Sequence, residues 1–180
     1  MTVPEQIDTK RLRLSCWQAG DAEELRACLD RCDAHLRPWI PFMQNEPRTL
    51  EQTHQGLLEC RTAFGQGEHY RFAIRDLQSK ALLGETMLFS RGAPNTLEIG
   101  YWLDEQHCGK GYATEATKPL LAMAFNTLSV ARVIMRCDQR NVASMRVAER
   151  LGGICRDIET LVENGKTVTL LVFECKRPCR

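Results

Sequence analysis

The sequence lacks a charge excess of either sign and lacks any long apolar run. Its 180 residues include 24 Lys and Arg against 23 Asp and Glu, so the formal net charge is +1. Nucleic-acid-binding domains are typically strongly basic, and we therefore expect no nucleic-acid partner. No apolar segment approaches the roughly 20 residues of a membrane-spanning helix, and the first residues do not resemble a signal peptide. We expect a cytoplasmic protein without a membrane partner.

Patterns typical of metal sites and disulfide frameworks are also missing. The nine cysteines are odd in number, scattered along the chain and never spaced as C-x-x-C, and the four histidines form no H-E-x-x-H motif. This spacing predicts neither a zinc site nor a set of disulfides, and we assign no metal. Free thiols are typical of a reducing cytoplasm.

The pattern of apolar residues predicts one domain over residues 1–180, in the α/β or α+β class. The predicted strands are Arg11–Trp17, Tyr70–Arg75, Leu82–Phe89, Leu97–Leu103, Arg132–Cys137, Ile154–Thr160 and Thr167–Glu174. The predicted helices are Asp21–Leu29, Thr49–Phe64, Gly111–Leu128 and Val142–Arg150. Thr49 with Gln52 three residues later is a capping-box pattern, and Asn164-Gly165 between two strands indicates a hairpin.

One segment has the properties of a phosphate-binding loop. The strand ending at Leu103 leads through Gly109 and Gly111 directly into a helix. The N-terminus of a helix presents unpaired N–H groups and a positive dipole end, and glycines allow close approach of the backbone to a ligand. A Rossmann fingerprint is excluded because Thr114 occupies its last glycine position, and a Walker A loop is excluded because Lys110 is followed by glycine.

Four segments resemble a known family in their order along the chain. The run Gln106-x-x-Gly109-x-Gly111 resembles the pyrophosphate loop of GNAT acetyltransferases. Residues Asn141–Gly152 are similar to a segment of the RimJ/RimL branch, the ribosomal-protein N-terminal acetyltransferases and their relatives. Thr9–Leu14 and Leu36–Trp39 resemble N-terminal landmarks of that branch. The resemblance implies the GNAT fold, a mixed and mostly antiparallel sheet of about seven strands with helices on both faces.

The same resemblance implies acetyl-CoA as the cofactor and indicates where it binds. Backbone amides of the glycine loop would hold the pyrophosphate, the strand ending at Leu103 would pair with the pantetheine arm, and an N–H near Tyr101–Leu103 would polarise the thioester carbonyl. The implied cofactor-binding residues are Tyr101, Trp102, Leu103, Gln106, Cys108, Gly109, Lys110, Gly111, Tyr112, Ala113, Asn141 and Ser144.

Two side chains are the catalytic candidates. Asn141 is placed to cap a helix whose first turn contains Ser144, and in the resembled branch this serine donates a proton to the CoA thiolate. Glu98 is the candidate general base or amine-orienting carboxylate. Glu159, a water molecule and, less directly, Glu85 stay open as alternatives for the base.

The resemblance predicts transfer of acetyl to a primary amine by direct attack on the thioester. The acceptor is either a protein N-terminal α-amine of the ribosomal-protein type or a small-molecule amine. A non-catalytic CoA-binding module and an interaction domain that has lost the cofactor are the alternatives from other classes. Trp39 either lines the acceptor pocket or anchors its loop on the core. The resemblance also implies a homodimer.

Overall fold

The chain folds into four α-helices and one eight-stranded sheet over residues 3–163, 165–175 and 177, which its computed structural model describes. The helices are α1 (Ala22–Leu36), α2 (Leu50–Gln66), α3 (Tyr112–Asn126) and α4 (Val142–Arg150). The strands are β1 (Gln6–Asp8), β2 (Leu12–Cys16), β3 (His69–Asp76), β4 (Leu82–Phe89), β5 (Thr96–Leu103), β6 (Arg132–Asp138), β7 (Gly153–Glu163) and β8 (Lys166–Cys175). Short 3₁₀ helices cover Ala19–Asp21, Pro41–Asn45 and Glu105–His107.

The sheet is mixed but mostly antiparallel, as the sequence predicts. Its strand order is β1-β2-β3-β4-β5-β6-β8-β7, and β5 with β6 forms the parallel pair. The expectation of about seven strands is one too few, because β1 was missed. That strand has only three residues, too few for an alternating pattern to be recognised, and it forms through antiparallel pairing with β2.

Helices cover both faces of the sheet, and alternation along the strands gives each face its own core. On β3, Phe72 and Ile74 belong to the core beneath α3 and α4. Ala73 between them belongs to a second core beneath α1 and α2, together with Trp102 of β5. Successive side chains of a strand point to opposite faces, so one strand contributes to both cores.

The predicted cap of α2 is confirmed. The Thr49 side chain accepts a hydrogen bond from the Gln52 N–H at 3.1 Å, and the Gln52 side chain accepts one from the Thr49 N–H at 2.9 Å. The helix ends at Gly67, whose φ of 76° is readily adopted only by glycine.

Both ends of α1, α2 and α3 differ from the expectation, all but one of them by one or two residues. Helix α1 continues beyond Leu29 to Leu36, because Cys32 and Leu36 extend its buried stripe against the second core. Helix α3 begins one residue later than predicted, with Gly111 as its N-cap, and it ends at Asn126 rather than Leu128.

The hairpin between β7 and β8 pairs antiparallel up to Glu163 and Lys166, and the predicted turn residue Asn164 lies outside the described residues. None of the helices in the described part of the chain is long and apolar enough to cross a bilayer.

Candidate functional site

The parallel strands β5 and β6 separate after a short contact, and this creates an opening in the middle of the sheet. Their ladder joins residues 96–98 to residues 132–134, although β5 continues to Leu103 and β6 to Asp138. Beyond Glu98, the β6-facing edge of β5 therefore has no strand partner in the part of the chain that the structure describes. Unpaired backbone N–H and C=O groups of this kind can bind an extended ligand as an added strand would.

The glycine loop lies at the end of this opening. The Asp104 side chain accepts a hydrogen bond from the Gln106 N–H at 3.0 Å and starts the 3₁₀ turn. The chain then passes through Gly109, with φ of 74°, and Gly111, with φ of 81°, before α3 begins at Tyr112. Gly111 has no side chain with which to cap the helix, so the first N–H groups of α3 remain available to an anion.

The two glycines are required for a reason that differs from the sequence argument. A Cβ atom on Gly109 would meet no protein atom within 4 Å, and one on Gly111 would come only within 3.6 Å of an Arg11 nitrogen. Both residues nevertheless have positive φ, which L-residues other than Asn and Asp rarely adopt. The backbone conformation by itself therefore favours glycine here, and any steric demand comes from a ligand.

The segment before β2 holds the start of α3 in place. The Thr9 hydroxyl donates a 2.7 Å hydrogen bond to Glu115 in the first turn of α3, and the Arg11 guanidinium donates another of 2.7 Å. Arg11 also donates to the Lys110 carbonyl at 3.0 Å and lies over the Tyr112 ring, 4.4 Å from its centre. Burial raises the pKa of Glu115, but these hydrogen bonds outweigh burial and leave that pKa lowered.

Ser144 lies in the first turn of α4, across the opening from β5. The Asn141 side chain caps α4 by accepting a 3.0 Å hydrogen bond from the Ser144 N–H, which confirms the predicted cap. The Ser144 hydroxyl accepts a hydrogen bond from the Tyr101 hydroxyl at 3.1 Å and donates one to the Cys137 Sγ at 3.3 Å. These three side chains connect β5, β6 and α4 at the point where the two strands diverge.

Burial keeps the two partners of Ser144 protonated. It raises the pKa of Tyr101 well above the usual range of a phenol, against a smaller lowering by the hydrogen bond to Ser144. Burial likewise raises the pKa of the Cys137 thiol. Tyr101 and Ser144 together form a chain of hydroxyl groups that can deliver a proton. The sequence argument included Tyr101 as a ligand contact and overlooked Cys137, which has no motif to identify it.

Glu98 projects from the opposite face of β5 and is held by arginines. It is only 6% exposed and accepts a hydrogen bond from Arg136 and another of 2.7 Å from Arg91. Both of these bonds use Oε2, whereas Oε1 has only a contact of 3.5 Å with Arg91. Arg136 also binds Glu159 through two nitrogens at 2.8 and 3.0 Å, and its hydrogen bonds lower the pKa of Glu159. Two candidates for the base thus share one arginine.

Glu85, the third candidate for the base, is bound by residues of the second core. Glu85 is 1% exposed and lies between α1, α2 and the sheet. It accepts hydrogen bonds from the indole nitrogens of Trp17 at 2.8 Å and Trp102 at 3.0 Å, and from Arg71 at 2.6 and 2.9 Å. Trp102 therefore directs its side chain into the second core, so only its backbone can meet a ligand in the opening.

The remaining predicted residues are distributed around the loop. Leu103 and Ala113 are buried in the core beneath α3. Cys108 is exposed, and its Sγ lies 3.6 Å from the His35 Nε2 on α1. Trp39 is 37% exposed and lies below the Arg140 guanidinium, which is 5.9 Å from the ring centre. Arg140 also donates hydrogen bonds to Asp138 at the end of β6, so the Trp39 loop lies near that end of the strand.

Comparison with known proteins gives one family over most of the chain. The sequence model of the Acetyltransferase (GNAT) domain matches residues 11–154. YjcK of Bacillus subtilis strain 168, named a probable N-acetyltransferase, is 37% identical over 106 residues, which are 58% of this chain and 59% of YjcK. The ribosomal-protein-serine acetyltransferase of Escherichia coli K12 is 33% identical over 118 residues, 64% of this chain and 62% of that protein.

A solved structure has the same fold over nearly its whole length. It is RimL, a ribosomal alpha-N-protein acetyltransferase in complex with coenzyme A, with a TM-score of 0.85. The superposition covers 94% of this chain and 97% of RimL at 20% sequence identity. The order of strands and the placement of helices on both faces are therefore those of a fold that is already known.

Proposed function

The chain belongs to the GNAT acetyltransferase family, whose members use acetyl-CoA, and on this premise we propose that it acetylates the free α-amine of protein N-termini. The observation that carries the proposal is the opening between β5 and β6. The glycine loop lies at its end and the hydroxyl pair of Tyr101 and Ser144 lies across it. A phosphate-binding end, an unpaired strand edge and a proton donor in one opening suit a long thioester cofactor.

The cofactor would bind in two parts. The backbone N–H groups from Gly109 to Ala113 would hold the pyrophosphate, supported by the positive end of the α3 dipole. The expected contribution of the Gln106 N–H is not available, because this group already donates to Asp104. The pantetheine arm would pair with the free edge of β5 between Tyr101 and Leu103 and reach the Asn141 side chain. The Lys110 side chain would add positive charge beside the phosphates, and Cys108 and Tyr112 would line the same loop.

The chemistry then uses groups on both sides of the opening. The acceptor nitrogen attacks the thioester carbonyl carbon, and a backbone N–H between Tyr101 and Leu103 stabilises the oxyanion. The Ser144 hydroxyl would give its proton to the sulfur that leaves the acetyl group. It would regain a proton from the Tyr101 hydroxyl, 3.1 Å away, and a proton from solvent would restore the phenol.

Glu98 would orient the acceptor amine from the other face of β5. Its Oε1 atom is the less occupied oxygen and can accept a hydrogen bond from the attacking nitrogen. Arg91 and Arg136 would keep the carboxylate in place for that contact. The nitrogen loses its proton to Glu98 or to a water molecule, while Glu159 remains paired with Arg136.

The α-amine as acceptor is supported by two considerations. The relative from Escherichia coli is named for acetylation of a ribosomal protein. An α-amine has an ordinary pKa of about 7.8 and is therefore already partly neutral near pH 7, whereas deprotonation of a lysine amine with a pKa of about 10.4 costs about 3.5 kcal/mol more. An α-amine therefore depends less than a lysine amine on a strong general base.

The proposal is tested by acetyl-CoA-dependent thiol release against three matched acceptors. The first is a peptide that has a free N-terminus and no lysine, the second is the same peptide with a blocked N-terminus and one lysine, and the third is a set of small primary amines. We expect turnover with the first peptide only, rising between about pH 7 and pH 8 as its α-amine deprotonates. Turnover confined to small amines would show that the acceptor is a small molecule and not a protein N-terminus, while the chain would still be an acetyltransferase. CoA binding without turnover on any acceptor would favour a non-catalytic CoA-binding module.

A homodimer in the cytoplasm belongs to the same proposal. Strand β7 is at the edge of the sheet and exposes Ile158 at 61% and Val162 at 74%. An exposed apolar edge strand is a surface that a second copy can cover. The free cysteines of the described residues are consistent with a reducing compartment.

A further inference from the structure

A cluster of metal-ligating side chains lies between α1 and the glycine loop. Cys28 and Cys32 are one turn apart on α1, and Asp104 follows the last residue of β5. Two thiol sulfurs and one carboxylate oxygen of these residues lie within 4.8 Å of one another. All three residues are at most 2% exposed. We call this group the Cys28–Cys32–Asp104 cluster.

The spacing of the cluster is near that of a tetrahedral metal site. Zn–S bonds of about 2.3 Å and Zn–O bonds of about 2.0–2.2 Å place neighbouring ligand atoms a little under 4 Å apart. The three atoms therefore need only a small contraction to bind one ion. Two sulfurs with one oxygen also select a thiophilic ion, since Mg²⁺ and Ca²⁺ prefer oxygen ligands.

The charges around the cluster suit a divalent cation. Two thiolates and the Asp104 carboxylate carry a charge of −3, and a 2+ ion reduces it to −1. The Arg31 guanidinium, 2.5 Å from Asp104 Oδ2, cancels the remainder. The buried site would thus be neutral when the ion is bound, and the two displaced thiol protons would pass to solvent.

Further donors are present next to the cluster. The Cys108 Sγ lies 3.6 Å from the Asp104 carbonyl oxygen and 3.6 Å from the His35 Nε2. His35 is on α1, one turn beyond Cys32. Cys108 and His35 are thus nearby donors on the exposed side, although neither belongs to the group of atoms within 4.8 Å of one another. The fourth ligand of a tetrahedral ion would be one of them after a local movement, or a water molecule.

We propose that Cys28, Cys32 and Asp104 form a binding site for one thiophilic divalent cation of the Zn²⁺ type, which joins α1 to the start of the cofactor loop. This site is separate from the acetyl-transfer machinery, because the cluster contains neither Ser144 nor Glu98. It also does not depend on the proposed acceptor.

The test uses the full chain, purified under reducing conditions, stripped of metal and freed of any affinity tag. Addition of Co²⁺ is expected to produce a thiolate-to-cobalt charge-transfer band that saturates at one equivalent and disappears when Zn²⁺ is added. Competition with a chromophoric chelator then gives the Zn²⁺ affinity. We expect Cys32→Ser and Cys28→Ser each to weaken Zn²⁺ binding by more than about tenfold, since even the loss of an outer-shell partner costs that much.

The matched control is Cys155→Ser, which removes an exposed thiol on β7, away from the cluster. It is expected to leave the cobalt band unchanged. Absence of a charge-transfer band in the wild-type chain would overturn the proposal without any variant, so a folding defect in Cys32→Ser cannot obscure the answer. A band that survives in the Cys28→Ser, Cys32→Ser double variant would also overturn it.

Discussion

At the scale of single residues, the proposed mechanism concentrates proton delivery on the Ser144 hydroxyl. Ser144 is positioned by three contacts, since its backbone N–H donates to the Asn141 side chain and its hydroxyl accepts from Tyr101 and donates to Cys137. These contacts hold the serine at the point where β5 and β6 diverge. The position of Ser144 thus depends on the cap of α4. Its proposed role as a proton donor depends on its distance from Tyr101 on β5.

We expect Ser144→Ala to lower kcat by about 100-fold, the lower end of the range for a positioned general acid. The dissociation constant of CoA, measured by calorimetry, should change less than threefold because the pyrophosphate contacts remain. Tyr101→Phe, which removes only the proton resupply, should lower kcat by less. If Ser144→Ala turns over at the wild-type rate, the proton must come from elsewhere, and the role given to Ser144 is wrong.

The two carboxylates that share Arg136 can be separated by matched variants. Glu98→Gln is expected to lower kcat/KM by about 100-fold, because the acceptor nitrogen loses its orienting partner. Glu159→Gln, which removes the other partner of the same arginine, is expected to lower it less than threefold. Initial rates with the unblocked peptide measure both. The reverse ranking would transfer the role from Glu98 to Glu159.

At the scale of secondary-structure elements, the glycine loop and the first turn of α3 act as one unit. Thr9 and Arg11 bind this turn from outside, while Gly109 and Gly111 bend the chain into it. The segment before β2 therefore supports the proposed cofactor site through contacts with α3. This follows from hydrogen bonds to Glu115, which lies in a helix more than 100 residues further along the chain.

Gly111→Val is expected to weaken CoA binding by more than tenfold, because its side chain would project toward the phosphates and strain the loop. Gly92→Val is the control, since Gly92 also has a positive φ, 86°, and open space around it but lies outside the cofactor loop. Both variants should lose about 1–2 kcal/mol of stability from backbone strain. Equal CoA affinity in the two variants, measured by calorimetry, would contradict the placement of the pyrophosphate.

The lowered pKa of Glu115 makes the docking of the N-terminal segment depend on pH. A carboxyl with a folded-state pKa below its unfolded value stabilises the fold above the unfolded pKa, about 4.3 for glutamate. We expect Glu115→Gln to lose about 1–2 kcal/mol at pH 7, with a difference from wild type that shrinks as pH falls below that value. Urea unfolding at stepped pH measures this. Glu51→Gln, at an exposed position in the first turn of α2, is the control and should lower the free energy of unfolding at pH 7 less than Glu115→Gln does.

At the scale of the whole molecule, the cofactor would connect two parts of one sheet. Strands β1 to β5 lie on one side of the opening, strands β6 to β8 lie on the other, and direct pairing between the sides is limited to three residues of each strand. A ligand that fills the opening therefore adds contacts between parts that otherwise share a short ladder and the helices.

Saturation with CoA at 100 times its dissociation constant is expected to raise the free energy of unfolding by about 2.7 kcal/mol. Because the two parts also share the core beneath α3 and α4, we expect one cooperative transition with and without the ligand. Denaturant unfolding followed by fluorescence and by circular dichroism measures both quantities. Two separate transitions would contradict the expectation of a single domain.

Local patterns in the sequence were sufficient to predict most of the elements and the turn-forming glycines of the loop before α3. Helix caps and turn glycines depend on neighbours within a few residues, so their spacing in the sequence is enough to predict them. This applies to the cap of α2 by Thr49, the cap of α4 by Asn141 and the glycines of the loop. The order of strands and helices follows from the same periodicities, apart from β1, whose three residues depend on β2.

Only the tertiary structure decided which distant side chains meet. No spacing shows that one arginine, Arg136, binds both Glu98 and Glu159, or that Glu85 is enclosed by two tryptophans. The cluster of Cys28, Cys32 and Asp104 was missed for the same reason, because its third member lies on another element far along the chain. Local hydrogen bonds and periodicity depend on residues that are close in the sequence, so they can be predicted from it. Contacts between elements depend on how the sheet and the helices pack, and only the tertiary structure shows that packing.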